Sequence, residues 1–125
     1  MKNKIKGISF LPEFIPLIKQ GKKTVTRRIK FSGKQGDIYY FKAGRNGKKE
    51  GYIKIKSAKK ESLFSIYKNY DIHEPAKEGF YKGTYIYQLN DFRELWNKLN
   101  KDEKNKYAQD PWVYRIEFKY LGEEI

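Results

Sequence analysis

The chain has 125 residues, no cysteine and a formal net charge of +13 at pH 7, so one domain over residues 1–125, stable without disulfides or metal, is the expectation. The missing thiols exclude structural disulfides, thiolate zinc sites and cysteine nucleophiles, and they fit a reducing cytoplasm. No stretch has the apolar length to span a membrane and residues 1–10 lack the apolar run of a signal peptide, so a soluble cytoplasmic protein is expected.

Residues 5–10 read as a first strand with Ile8 and Phe10 on one face. Pro12 opens and Gly21 closes a short helix carrying Phe14, Leu17 and Ile18, and Pro16 makes it irregular. Residues 21–29 start a second strand, which puts Thr24, Thr26 and Arg28 on one face and Val25, Arg27 and Ile29 on the other. After a turn-rich stretch at 31–36, residues 37–43 form a strand and Asn46-Gly47 marks a hairpin. Residues 50–57 return with Ile53 and Ile55 inward and Tyr52, Lys54 and Lys56 outward, so the hairpin presents a basic face.

Residues 62–70 place Leu63, Phe64, Ile66 and Tyr67 at helical spacing, with Ser62 as a cap. Residues 71–80 hold the single histidine, His73, among Asp71, Glu74 and Glu78. Tyr85-Ile86-Tyr87 fits a strand or an ordered loop. Asn90 or Asp91 caps a helix whose Phe92, Leu95, Trp96 and Leu99 recur at helical spacing. Charged residues 101–106 and Asp110-Pro111 follow. Residues 113–120 then alternate, with Tyr114, Ile116, Phe118 and Tyr120 opposite Arg115, Glu117 and Lys119. About five strands, two or three helices and frequent hairpins predict an α+β fold built on a small antiparallel barrel or a strongly bent sheet.

The excess of 28 Lys and Arg over 15 Asp and Glu asks for a polyanionic partner, RNA or DNA first. An acidic membrane is the competitor, but no helix pairs a basic face with a continuous apolar one. Lysine-rich composition also arises from coding bias or a hot habitat. Most of the cations are lysines, which favour point contacts with phosphate over bidentate base reading. The eleven tyrosines serve either as core or as stacking platforms for bases.

The densest chemistry lies at residues 21–28, where four cations and two hydroxyls surround one valine. Two hydroxyls and a guanidinium on one strand face suit phosphate, carboxylate or amide groups; a solvated edge strand guarded by lysines is the plainer reading. His73, Glu74 and Asp71 supply one imidazole, too little for a zinc site, and no phosphate loop or dinucleotide motif is present. No metal or cofactor is expected. A hydroxyl nucleophile with a lysine base remains, drawn from Thr24 or Thr26 and Lys22 or Lys23. Such a lysine needs its pKa depressed by burial or by neighbouring cations.

The stretch Gly21-Lys22-Lys23-Thr24-Val25-Thr26-Arg27-Arg28 resembles the signature of the ASCH domain family. Phe10 and Phe14-Ile15-Pro16-Leu17-Ile18 before it are similar to the family's opening helix. Gly36-Asp37, Glu78-Gly79-Phe80, the helix with Phe92 and Trp96, and the closing Val113-Tyr114-Arg115-Ile116-Glu117-Phe118 extend the resemblance over nearly the whole chain. It implies a PUA-like β-barrel, small and antiparallel or mixed, with two to three flanking helices and a cleft for RNA or nucleotides. Small members deacetylate 4-acetylcytidine with a Lys, a Thr and a Glu. By the resemblance these fall on Lys23, Thr26 and Glu78, and Arg28 becomes the anion holder. Lys22, Thr24 and Arg27 join Arg28 as expected nucleic-acid or anion-binding residues. Two departures stand: residues 82–90 look longer than in the small hydrolases, and Arg27 replaces an apolar residue. In a regular strand Lys23 and Thr26 face opposite ways, so their meeting requires Lys23 in the turn before the strand. Three functions follow: a hydrolase acting on an acetylated cytidine nucleoside or its RNA form, a non-catalytic RNA-binding module, and a ribonuclease.

Overall fold

In the computed structural model, which describes residues 5–68 and 71–125, five strands form one mixed sheet. They are β1 (Lys6–Phe10), β2 (Val25–Arg28), β3 (Ile38–Ala43), β4 (Lys49–Ser62) and β5 (Trp112–Gly122), in the spatial order β1-β3-β4-β5-β2. β1 runs parallel to β3, and the other pairs are antiparallel. The two outermost strands approach each other, because the Arg28 Nη2 on β2 donates to the Ser9 carbonyl of β1 at 2.7 Å. The sheet is therefore strongly bent, and a side chain rather than a backbone ladder bridges its two edges.

The inner face of the bend carries the alternating residues Ile8, Phe10, Tyr39, Phe41, Ile53, Ile55, Ile116 and Phe118. Each fully buried large side chain contributes about 1.5–3 kcal/mol of hydrophobic stabilisation. A 3-10 turn over Pro12–Phe14 leads into α1 (Ile15–Lys19), which adds Phe14, Ile15 and Ile18 to this core. Pro16 lies in the first turn of α1, where its missing N–H breaks no helical bond. Gly21 follows at φ +73°, a conformation that ends the helix without a Cβ clash.

Leu63, Ile66, Phe92, Trp96 and Val113 form a second cluster. It gathers α2 (Ser65–Lys68) and α4 (Tyr85–Leu99) beside one end of β5, near the short α3 (Glu74–Lys77). Among the described residues one long helix, α4, and three short ones flank the sheet, in keeping with the α+β fold expected. Helix α4 begins at Tyr85, so Asn90 and Asp91 lie inside it and residues 85–87 are helical rather than strand or loop. Ile86 and Tyr87 are 67% and 65% exposed, so the first turn shows no apolar face to read. Packing of Phe92 and Trp96 anchors the helix farther along. β4 continues to Ser62, well past residue 57, because a bulge between Ile55 and Ser57 interrupts its alternation. The helix expected from residue 62 correspondingly starts at Ser65 and is described over Ser65–Lys68; Asn69 and Tyr70 lie outside the described residues. No helix among the described residues is long and apolar enough to cross a membrane.

Candidate active site

Between α1 and β2 the chain turns tightly. The backbone N–H groups of Lys22 and Lys23 both donate to the Leu17 carbonyl, at 2.8 and 3.1 Å. Thr24 then docks by its backbone, donating to Lys77 O and accepting from Phe118 N, each at 2.9 Å. Lys23 thus precedes the strand, as its meeting with Thr26 requires, and only 3% of it is exposed. Its Nζ donates to Val25 O at 2.9 Å and to Glu78 O at 2.5 Å, and lies 3.5 Å from Glu78 Oε1. The Phe14 and Phe10 rings flank the amine, with centroids at 4.6 and 5.7 Å.

Burial lowers the Lys23 pKa to about 8; the Glu78 charge opposes that shift, while Arg28 and Arg27 add to it. The folded state therefore sheds this proton before the unfolded chain does. Between pH 8 and 10.5 the unfolded chain holds more protons, so this group makes the fold more stable as pH rises through that window.

Thr26 sits on β2 opposite Ile116 and is 5% exposed. Arg28 Nε donates to Thr26 Oγ1 at 3.3 Å, while its guanidinium stands 5.1 Å from the Phe10 ring centroid. The threonine oxygen already accepts from a cation, so its own hydrogen remains available to a base.

Arg27, expected as a nucleic-acid or anion-binding residue, is instead engaged by the protein's own carboxylates. It is 5% exposed and donates to Glu78 Oε2 at 2.8 Å, Glu74 Oε1 at 3.0 Å and Glu61 Oε2 at 3.2 Å. Arg115 Nε donates to the same Glu74 oxygen at 2.7 Å. Such burial of a guanidinium is tolerable only with carboxylates in contact. Arg27 Nε has no hydrogen-bond partner, so the group is held by its terminal nitrogens.

Lys23, Thr26, Arg27, Arg28 and Glu78 line one cavity of about 350 Å³, within the range of small-molecule sites. Its walls include Phe10, Phe14, Phe80, Phe92 and Trp96, giving an apolar pocket over a polar floor. Lys22 is exposed at the surface, with its carbonyl accepting from the Tyr81 hydroxyl. Thr24 is half-buried and held by its backbone, apart from the residues lining the cavity. The reading from sequence missed Glu61, Glu74 and Arg115. The i,i+4 spacing of Glu74 and Glu78 was the available signal, since it puts two carboxylates on one helix face. His73 is exposed, whereas Glu74 turns inward.

Gly79 lets this floor close. It has φ +106°, and a Cβ there would stand 2.8 Å from the Phe14 ring and 3.4 Å from Lys23 Cδ. Gly79→Ala is expected to lower stability by about 1–3 kcal/mol through backbone strain and overpacking, read as a lower urea midpoint with an unchanged slope.

The bent five-stranded mixed sheet with flanking helices and a cavity at its edge is the fold of solved ASCH-domain structures, at low sequence identity. Protein EF3133 of Enterococcus faecalis V583, described with the family model DUF984, superposes with a TM-score of 0.69 at 10% identity, over 98% of this chain and 84% of that one. The ASCH domain of Lactobacillus crispatus JV V101 gives 0.66 at 15% identity, over 92% and 79%. ASCH from Zymomonas mobilis gives 0.56 at 16% identity, over 94% and 67%. The resemblance read from the sequence is met at the level of the fold. No protein-family model and no curated protein matches the chain.

Proposed function

We propose that the protein is an amidohydrolase that deacetylates 4-acetylcytidine, with Thr26 as nucleophile, Lys23 as base and Glu78 as proton carrier. One observation carries this reading: a buried lysine amine with its pKa lowered to about 8, beside Glu78, lines the same cavity as the Thr26 hydroxyl. The unprotonated Lys23 amine takes the Thr26 proton as Oγ1 attacks the acetyl carbonyl carbon. Arg28 stabilises the charge that develops at this end of the cavity. The proton passes from Lys23 across 3.5 Å to Glu78 Oε1 and on to the exocyclic nitrogen as the C–N bond breaks. Cytidine leaves and acetyl-threonine remains. Water, deprotonated by Glu78, then releases acetate and restores the Thr26 hydroxyl. The aromatic walls suit a pyrimidine ring, whose faces they can stack against.

The pH dependence follows from the base. With a pKa of about 8, roughly a tenth of the amine is free at pH 7. Cytidine release from 4-acetylcytidine is expected to rise about tenfold from pH 7 to a plateau above pH 9. A rate flat across that range rules Lys23 out as the base.

RNA binding without catalysis is the second reading, favoured by the net charge of +13. It predicts affinity for single-stranded RNA that falls steeply with salt, and no cytidine release.

A further inference from the structure

We infer that the solvent face of β3, β4 and β5 is a docking surface for a single strand of nucleic acid, separate from the cavity. This deepens the nucleic-acid reading and does not depend on the deacetylase reading.

The inward residues Tyr39, Phe41, Ile53, Ile55 and Phe118 oblige their neighbours to face outward. Across three adjacent strands the outward row runs Gly7, Tyr40, Tyr52, each directly opposite the next, and on the fourth strand Tyr52 pairs with Gly122 at a bulge. A Cβ at Gly7 would stand 2.3 Å from the Tyr40 ring, so that ring rests over bare β1 backbone. Lys49 Nζ lies 4.5 Å from the same ring's centroid. Tyr52 is half-buried in the middle of the row, and Gly122 raises no side chain beside it. Two rings on an otherwise low surface make a platform on which unpaired bases can stack.

Lysines frame the row. Lys42 pairs directly opposite Lys49, and Lys54 directly opposite Lys119. Like charges in opposed positions destabilise a ladder. Among the described residues no carboxylate comes within ion-pair distance of any of these four, and the outward carboxylate of β5, Glu117, is taken by Lys56 and Arg115 at 3.5 and 3.3 Å. Such a face is complementary to a phosphodiester chain, whose phosphates would relieve the repulsion and release counterions. Side chains two residues apart along a strand are spaced about 6.7 Å and across strands about 4.8 Å, so the two lysine pairs flank the rings on either side.

The test is fluorescence anisotropy with a short, unstructured, end-labelled RNA, its DNA counterpart and anionic phospholipid vesicles as separate arms. A triple variant, Lys49→Ala with Lys54→Ala and Lys119→Ala, is compared with a triple of equal charge on the helical side, Lys98→Ala with Lys101→Ala and Lys104→Ala. The outer-face triple is expected to bind the strand at least about 30-fold more weakly at low salt, with the log–log salt slope smaller by about 2. Tyr52→Ala is expected to weaken binding about 5–10-fold with the slope unchanged. The helical-side triple stays within about threefold of wild type, a window well below the loss of three phosphate contacts. RNA bound more tightly than DNA assigns the strand as RNA; equal affinity assigns single strands of either kind. Equal losses in the two triples overturn the inference while leaving the nucleic-acid reading standing. Absence of strand binding at low salt, or binding to vesicles alone, overturns both. Cytidine release by the outer-face triple is read separately, so the deacetylase reading stands or falls on its own.

Discussion

Thr26→Ala is expected to reduce cytidine release from 4-acetylcytidine to the uncatalysed background, a loss of at least about 10³-fold in kcat. In the proposed mechanism the hydroxyl forms the bond to the acetyl carbon, so kcat and kcat/KM are expected to fall together while ligand binding persists. The fold should survive, because β2 pairs with β5 through its backbone opposite Ile116; the loss of one hydroxyl and one methyl costs about 1 kcal/mol. Thr26→Ser restores an oxygen but not the methyl that restricts χ1, and about a tenth of the rate is expected to return. Arg28 bonds to the same oxygen at 3.3 Å. Arg28→Met should therefore slow the reaction, and shift the rate toward higher pH because the Lys23 amine loses a neighbouring cation that lowers its pKa. Equal rates for wild type and Thr26→Ala, measured by cytidine appearance, would end the deacetylase reading for this substrate.

Much of the fold was legible because the sheet's inner face alternates strictly. Ile8 and Phe10, Ile53 and Ile55, and Ile116 and Phe118 all point where period two placed them. What broke the pattern was a bulge in β4 and a helix, α4, whose first turn faces solvent. Within the site, the turn position of Lys23 followed from the resemblance taken with geometry: a strand places alternate residues on opposite faces, so a lysine that is to reach Thr26 has to precede the strand. Arg27 was not legible. A guanidinium flanked by Lys22, Lys23 and Arg28 looks like part of a cationic patch, and only tertiary structure brings Glu61, Glu74 and Glu78 to it. The cavity's aromatic walls were equally hidden, because Phe80, Phe92 and Trp96 also read as ordinary core. Local periodicity reports which face a residue is on; it does not report what the facing element supplies.

Arg27 carries the largest stability effect. Arg27→Met is expected to lower unfolding free energy by about 3–5 kcal/mol at pH 7, because it strips a buried cluster of carboxylates of its central cation. Burial pushes the Glu74 carboxyl up, but the Arg115 hydrogen bond and the charges of Arg27 and Arg115 outweigh it and hold it below its ordinary 4.5. A carboxyl with a depressed folded pKa contributes stability that is present above pH 4.5 and lost as pH falls through the folded value. Removing Arg27 removes part of that contribution, so the variant's acid unfolding curve should be shallower below pH 4.5 than that of wild type. Arg27→Lys supplies one point charge in place of a fork that reaches three carboxylates, and should recover only part of the loss. Pairing Arg27→Met with Glu78→Gln should be less damaging than the sum of the two changes, since each removes the other's uncompensated partner. Urea unfolding at pH 7 decides it: a loss under about 1 kcal/mol, typical of an exposed ion pair, would mean that the arginine does not hold the cluster. The same substitution reaches the chemistry. Arg27 holds Glu78 Oε2 at 2.8 Å while Oε1 lies 3.5 Å from the Lys23 amine, so releasing one oxygen frees the other to leave the proposed proton path.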